Sequence, residues 1–375
     1  MKEVQETNRT AVLRVLFANS PMSRIEIAEA TGLSTPTISR IVKELIQEKL
    51  VIEVGKVEMM QGRNRDLLQI DYDHHFILGF EVNESYVHGV LCNLRGEIKM
   101  SLAREITSKK PKDVAAHIAE ILSLIQNQVS KSNRVLGIGL SVSGVVSPEE
   151  QKIIYSDTMK WKGIHVQELF PPLEDLMLVV ENDANAAILG ELWLGHVSEY
   201  ENLVYIQIGA GVIGASLFIN GELVRGSQYI AGELSHFPIA QNGKPCTCGK
   251  SGCLQTCVSL ERLEKEFENL SGKRGLIQAY KMGDPLASQF VDDVIEKLSI
   301  LIRFLVYLVN PEAIILGGVW TEAGESFLEG LRKRVSEDPA LRDDSIPQVV
   351  FSSLHPHAGA MGAAGLVLDE FFRYQ

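Results

Sequence analysis

Long apolar runs are missing from this chain: none reaches the roughly 18 residues that a membrane span requires. The opening "MKEVQETNRT" is polar and lacks the apolar core of a signal peptide, so a cytoplasmic location and no membrane partner are expected. Cysteine is scarce too, five in 375 residues, and four of the five fall within "HFPIAQNGKPCTCGKSGCLQTC", residues 236–257. Disulfides rarely persist in a reducing cytosol, so scarcity excludes a disulfide-stapled fold and clustering favours metal binding or redox chemistry. An overall basic excess is also absent, the net charge being −12. Residues 1–70, however, carry ten Lys or Arg against nine Asp or Glu, so the acid excess lies wholly in the remainder. A near-neutral head on an acidic body points to a nucleic-acid module joined to something else. The length suits two or three domains, each able to bury a core.

The head has helical apolar spacing over residues 11–19, "AVLRVLFAN", followed by "SRIEIAEATGLSTPTISRIVKELIQEKL" at 23–50. Ser23 and Glu26 have the spacing of a capping box, and Gly32 ends the short helix they open. Ser34 caps a second helix whose Ile38, Ile41, Val42 and Leu45 form one apolar face. Two helices joined by a tight glycine turn make a helix-turn-helix. On the outer side of the second helix, Thr35, Thr37, Ser39, Arg40 and Lys43 are candidates to reach bases and phosphates of operator DNA. The strand-like runs "LVIEVGKVE" and "RDLLQID" flank "MMQGRN", a wing whose Arg63 and Arg65 suit a minor groove. The competing reading is an αα-hairpin for protein contacts; cap, turn, apolar face and basic wing together favour DNA.

From residue 76 the pattern changes to "FILGFEVNESYVHGVLCNLRGEIKMSLAREI", three strand-like runs, then a helical stretch at 112–130 and the strand "VLGIGLSV". The strand "LMLVVEN" and the helix "DANAAILGELWLG" precede a second strand cluster, "NLVYIQIGAGVIGASLFINGELVRG". Strands in hairpins followed by helices, twice over, predict two related α/β lobes. "GAGVIG" at 209–214 matches the dinucleotide fingerprint G-x-G-x-x-G, but a strand continues where that fingerprint needs a helix, turning at Asn220 and Gly221. A dinucleotide site is therefore not expected there. Cys92, in "VLCNL", reads as a buried strand residue.

The winged head, "ENDANA" at 181–186, "GELSH" at 232–236, "CTCGKSGC" at 246–253 and "LGG" at 316–318 together resemble the ROK family of repressors and sugar kinases, in the family's order and over nearly the whole chain. The resemblance implies an α/β protein: an N-terminal winged helix-turn-helix over 1–72, then a two-lobed actin-like, hexokinase-type (RNase H-like) body. Its first lobe is expected over 73–190, completed by 356–375, and its second over 191–355. Cys246, Cys248 and Cys253 with His236 supply three thiolates and an imidazole, a tetrahedral set for one structural Zn²⁺. Cys257, four residues past Cys253, is a rival fourth ligand; the resemblance favours His236 and leaves Cys257 to the core. The resemblance also implies that Asn182, Asp183, Glu233 and His236 contact sugar hydroxyls, which need both donors and acceptors. Gln255 stands where the family has a ligand-contacting Glu, and the loop at 141–161 is expected to form another pocket wall.

One departure bears on activity. Family kinases open the body with an Asp-x-Gly-Gly-Thr loop that holds ATP phosphates, whereas this chain has "GFEVNESY". Glu81 and Glu84 oppose a triphosphate at about 4 kcal/mol per charge pair at 4 Å and an effective dielectric near 20. The glycines that let amides cradle phosphate are replaced as well. The expectation is a non-enzymatic, sugar-responsive repressor, a homodimer or homotetramer released from DNA by a carbohydrate. An active or bifunctional sugar kinase is the alternative, and a regulator governed by a protein partner is a third reading.

Overall fold

The computed structural model describes residues 2–57, 65–127, 129, 133–173, 176–197, 199–209, 213–342 and 345–373. The head consists of α1 (Lys2–Asn19), β1 (Met22–Ser23), α2 (Arg24–Thr31), α3 (Thr35–Gln47), β2 (Val51–Val57) and β3 (Arg65–Ile70). Local chemistry sets its helix ends. The Ser23 hydroxyl accepts from the Glu26 amide and the Glu26 carboxylate accepts from the Ser23 amide, while Gly32 takes the left-handed conformation that closes α2. Ser34 accepts from the Thr37 amide and Pro36 occupies the first turn of α3. Ile38, Ile41, Val42 and Leu45 are all buried, with Val12, Leu13 and Leu16 of α1 completing the head's core. β2 and β3 pair antiparallel, and β1 adds to β3 as the third strand.

The next elements are β4 (His75–Val82), β5 (Tyr86–Asn93), β6 (Ile98–Glu105), α4 (Pro111–Gln126), β7 (Arg134–Val142), β8 (Val145–Ser147), β9 (Lys152–Ser156), β10 (Trp161–His165), β11 (Met177–Asn182) and α5 (Asp183–Leu194). They form a five-stranded sheet in the order β11-β7-β4-β5-β6, with β4, β7 and β11 parallel and the hairpin strands antiparallel. Leu78, Phe80, Ile138 and Leu140 face Val114, Ile118 and Ile121 of α4. Strands β8 to β10 make a separate three-stranded sheet that takes in most of the 141–161 loop and runs on to His165.

The remainder comprises β12 (Leu203–Ile208), β13 (Ile213–Ile219), β14 (Glu222–Leu223), α6 (Leu254–Val258), α7 (Leu260–Ser271), α8 (Leu276–Lys281), α9 (Pro285–Val309), β15 (Ala313–Gly318), α10 (Glu325–Ser336), β16 (Gln348–Phe351) and α11 (Ala358–Arg373). Its sheet runs β14-β13-β12-β15-β16. Two antiparallel hairpin strands again lie to one side of the first strand and two parallel strands to the other. The two sheets thus share one topology, the internal duplication expected from the strand grouping. Asn220 and Gly221, both with positive φ, form the tight turn between β13 and β14, and Ile213 and Gly214, which end "GAGVIG", already belong to strand β13.

The chain divides into two compact units, one of residues 1–183 with 359–375 and one of 184–358. In the first, α11 returns from the C-terminal end to cover the face of β4 and β7 opposite α4. A Cβ at Gly79 would overlap the Ala360 carbonyl oxygen, and one at Gly139 that of Ala363, so helix and strand backbones touch directly. In the second unit Glu191 of α5 is buried and accepts hydrogen bonds from Ser352 and Ser353 (both 2.6 Å) and the Leu354 amide (3.3 Å), tying α5 to the segment after β16. Among the described residues no helix is long and apolar enough to cross a membrane.

Candidate functional site

On α3 the residues pointing away from the head's core are those a DNA groove would meet. Thr35, Ser39, Arg40 and Lys43 are exposed. Arg40 is held by Glu44 one turn on at 2.9 Å, and the Thr37 hydroxyl lies 2.8 Å from that of Ser34, within the helix cap. Arg65 begins β3 beside the capping carboxylate of Glu26, whose pKa is lowered first by its hydrogen bond from the Ser23 backbone. Arg63 lies outside the described residues.

The segment 232–257 is fixed to β13 before it reaches its cysteines. The Ala215 amide donates to the Gly232 carbonyl at 2.8 Å, and a Cβ at Gly232 would overlap the Ala215 carbonyl, so only glycine permits this approach. Ser235 is buried and its hydroxyl bonds both amide and carbonyl of Ile213. Gly249 and Gly252, both at positive φ, then wrap the chain back on itself, with Pro238 bridging to Cys253. His236, Cys246, Cys248 and Cys253 meet there with ligand atoms all within 4.8 Å of one another. The Cys248 and Cys253 sulfurs are 3.6 Å apart and His236 Nδ1 is 3.4 Å from the Cys246 sulfur. A tetrahedron with Zn–S of about 2.3 Å and Zn–N of about 2.0 Å has edges of about 3.5–3.8 Å, so the set fits that ion. Hydrogen bonding from the Cys248 backbone holds the Cys246 thiol below its usual range, whereas burial pushes the Cys253 thiol up. As thiolates, three sulfurs this close would need a cation among them. Cys257 stands apart from the cluster, packed against the core of the second unit.

The residues expected to contact sugar fall in both units. Asn182 ends β11 and Asp183 begins α5, in the first; Glu233, His236 and Gln255 belong to the second. Asn182 Nδ2 donates to the Gly144 carbonyl at 2.9 Å, joining β11 to the 141–161 loop. Glu233 and His236 are exposed on the braced segment. The Gln255 amide donates to the Ser235 carbonyl at 3.0 Å, and its side chain lines a recess of about 260 Å³ with Thr247, Thr256, Arg262 and Lys265. In the first unit, Glu81 at the end of β4 accepts from the Tyr86 hydroxyl (3.0 Å) and Asn83 Nδ2 (3.2 Å). Burial pushes its carboxyl up to about 7 against those two bonds, with Asp183 and Glu84 adding to the shift.

The family model described as the ROK family matches residues 78–370. The chain belongs to the ROK family. Ahead of the ROK body, the winged helix-turn-helix DNA-binding model matches residues 5–52, which agrees with the head's fold. The xylose repressors of Caldicellulosiruptor bescii and Bacillus subtilis are each 28% identical to it, over 99% and 98% of this chain and 98% and 96% of their own. The N-acetylglucosamine repressor of Escherichia coli O157:H7 is 24% identical over 97% of this chain and 93% of its own. Among solved structures, a ROK family transcriptional regulator, a homolog of the E. coli MLC protein, superposes with a TM-score of 0.83 at 24% identity, covering 98% of this chain and 97% of that one. A ROK family glucokinase from Streptomyces griseus gives 0.66 at 22% identity over 78% of this chain and 99% of its own. The protein is thus a ROK transcriptional regulator with a DNA-binding head. Sequence reasoning missed Ser141 of β7, fully buried between the register partners Glu81 and Glu181, because strand neighbours across a parallel sheet carry no local signal. It expected 356–375 to complete the first lobe but did not identify Gly79 and Gly139 as the strand positions on which α11 rests.

Proposed function

We propose that this ROK regulator is a sugar-responsive repressor without kinase activity. Two heads of a homodimer or homotetramer hold a palindromic operator, and a carbohydrate bound through Asn182, Asp183, Glu233, His236 and Gln255 releases it. The observation that carries the reading is a DNA-binding head on a ROK body whose phosphate loop is occupied by Glu81. That carboxyl, bonded to Tyr86 and Asn83, stands where a kinase would hold a triphosphate, Glu84 beside it adds negative charge, and the glycines that would cradle phosphate are replaced. Asp183 matches the family's general base, yet a base without a phosphoryl donor performs no transfer. The names of the relatives favour a pentose or an N-acetylhexosamine as effector. His236, Cys246, Cys248 and Cys253 would hold a structural Zn²⁺ that fixes the segment carrying Glu233.

Fluorescence anisotropy with DNA from upstream of the protein's own gene, repeated with D-xylose, N-acetylglucosamine and glucose, tests the reading. One sugar should weaken binding, and none should be phosphorylated by ATP. Sugar phosphate formed by the purified chain and lost in Asp183→Asn would establish the kinase instead. Elemental analysis should find one zinc per chain, lost in Cys248→Ser together with the sugar response. Undiminished zinc in that variant would exclude the ligand set.

A further inference from the structure

We infer that Arg262 and Glu266 of α7 are positioning residues of the metal loop, holding its two outer ligands, Cys246 and Cys248, in place for the ion. The inference rests on the reading that His236, Cys246, Cys248 and Cys253 hold Zn²⁺, and it says what keeps that set assembled.

The four ligands are not carried alike. Cys253 is fully buried and caps the start of α6, whose Leu254 amide donates to the Phe237 carbonyl at 2.8 Å. His236 lies between Ser235, which is bonded to Ile213, and Phe237, which packs against the core of the second unit. These two ligands ride on the core. Cys246 and Cys248 belong instead to a knuckle, residues 241–251, in which no residue is buried. Such a segment draws little stability from apolar packing.

Its own bonds make the knuckle a stiff hairpin. The Cys246 amide donates to the Lys250 carbonyl at 2.8 Å and the Gly252 amide to the Lys244 carbonyl at 2.9 Å, with Pro245 bridging to Ser251. Its base is bonded to the body, because the Ile239 and Ala240 amides both donate to the Gly252 carbonyl, at 2.9 and 3.1 Å. A hairpin tied at its base alone would pivot there, and both thiols would swing with it.

The second tie comes from α7. Arg262 Nη1 donates to the carbonyl of Pro245, the residue before the ligand Cys246, at 3.1 Å. Its Nε donates to Glu266 Oε1 at 3.4 Å, and the other oxygen of Glu266 takes the Lys244 ammonium. One guanidinium and one carboxylate, a helical turn apart on the same face, thus grip two successive knuckle residues. The recess of about 260 Å³ lined by Cys246, Thr247, Gln255 and Arg262 lies between knuckle and helix, so polar contacts rather than close packing join the two there. A lone exposed ion pair would do little. Arg262, however, bonds a backbone carbonyl and a carboxylate at once, and its planar fork fixes both directions.

The test follows zinc release from the full-length, Zn²⁺-loaded protein into an excess of a chromogenic chelator. Removing groups that orient metal ligands typically costs about 10–100-fold in metal affinity, so Arg262→Ala should release zinc about tenfold or more faster than the parent. Glu266→Gln should also release faster, and Arg262→Lys, which keeps the charge but not the fork, should fall between parent and Arg262→Ala. Combining Arg262→Ala with Glu266→Gln should add little, since the two act as one clamp. Glu268→Gln, on the same helix but bonded to Arg274, should release zinc as the parent does. Hydrogen exchange separates a clamp from a loss of fold: in Arg262→Ala the Cys246 and Gly252 amides should lose protection while α7 keeps its own. Parent-like release in both Arg262→Ala and Glu266→Gln, or loss of protection throughout α7, overturns the inference. A parent that takes up no zinc defeats the metal reading alone. Exchange at Cys246 and Gly252 in the metal-free proteins then decides, and protection there unchanged by Arg262→Ala overturns the clamp.

Discussion

Glu81 is the residue whose environment is least like that of its type. Its carboxyl is pushed up from an ordinary value near 4.5 to about 7, mainly by burial, so the folded state holds its proton more tightly than the unfolded chain does. The stabilisation from this group is fully present below about pH 4.5 and is lost as pH rises through about 7. The whole effect is about 3 kcal/mol, taking about 1.36 kcal/mol per pH unit. Glu81→Gln removes the titration and keeps an oxygen for the Tyr86 hydroxyl. Its melting temperature relative to the parent should therefore climb between pH 5 and pH 8, at about 2–4 °C per kcal/mol. Calorimetric scans across that range check this, and parallel curves for the two proteins would show that Glu81 does not titrate there.

At the scale of the element, α3 must offer a charged outer face without losing its inner one. Arg40 is engaged by Glu44, but an exposed i,i+4 pair is worth only about 0.3–0.5 kcal/mol, so a phosphate can displace the carboxylate. Lys43 is exposed on the same helix. Replacing both by Ala leaves Ile38, Ile41, Val42 and Leu45 in place, so circular dichroism should be unchanged. The slope of log affinity against log salt should fall by about 0.9 for each DNA phosphate that is no longer neutralised, or about 1.8 in the double variant. A double variant that binds operator with the parent's slope would place the reading surface elsewhere.

For the whole molecule the question is whether one sugar per chain suffices to release DNA. No sugar contact with DNA is invoked, so release must come from differential affinity for two states of the body. Turning a 99:1 population of the DNA-binding state into 1:99 takes about 10⁴-fold preference, roughly 5.5 kcal/mol. Shared by two chains of a dimer, this is about 2.7 kcal/mol each, within reach of two or three hydroxyl hydrogen bonds made in only one state. Asp183→Asn should accordingly keep operator affinity and lose the sugar response, read by anisotropy with and without effector. A sugar that binds the parent tightly yet leaves operator affinity untouched would leave the two activities uncoupled.

Much of this was legible in the order of residues because the deciding interactions are local. Ser23 with Glu26, Gly32, Ser34 with Pro36, and Asn220 with Gly221 act within a turn or two of themselves, and each stands where the spacing put it. The four residues of the His/Cys cluster lie on one looped segment, so their types and spacing, with the family resemblance choosing His236 over Cys257, were enough to name them. The hairpin and crossover pattern of both sheets followed from the alternation of strand runs and helices. What the tertiary structure alone decided joins distant parts of the chain. Gly79 and Gly139 read as ordinary strand glycines until α11 is seen lying on them. Glu81 reads as a replaced phosphate-loop residue until Gly359 closes against it and burial raises its pKa. Phe17 and Phe372 stand near opposite ends of the chain, and only packing brings their rings together. Side-chain periodicity announces that a residue is buried; which partner buries it is set by how the whole sheet seats its helices, and no local pattern encodes that.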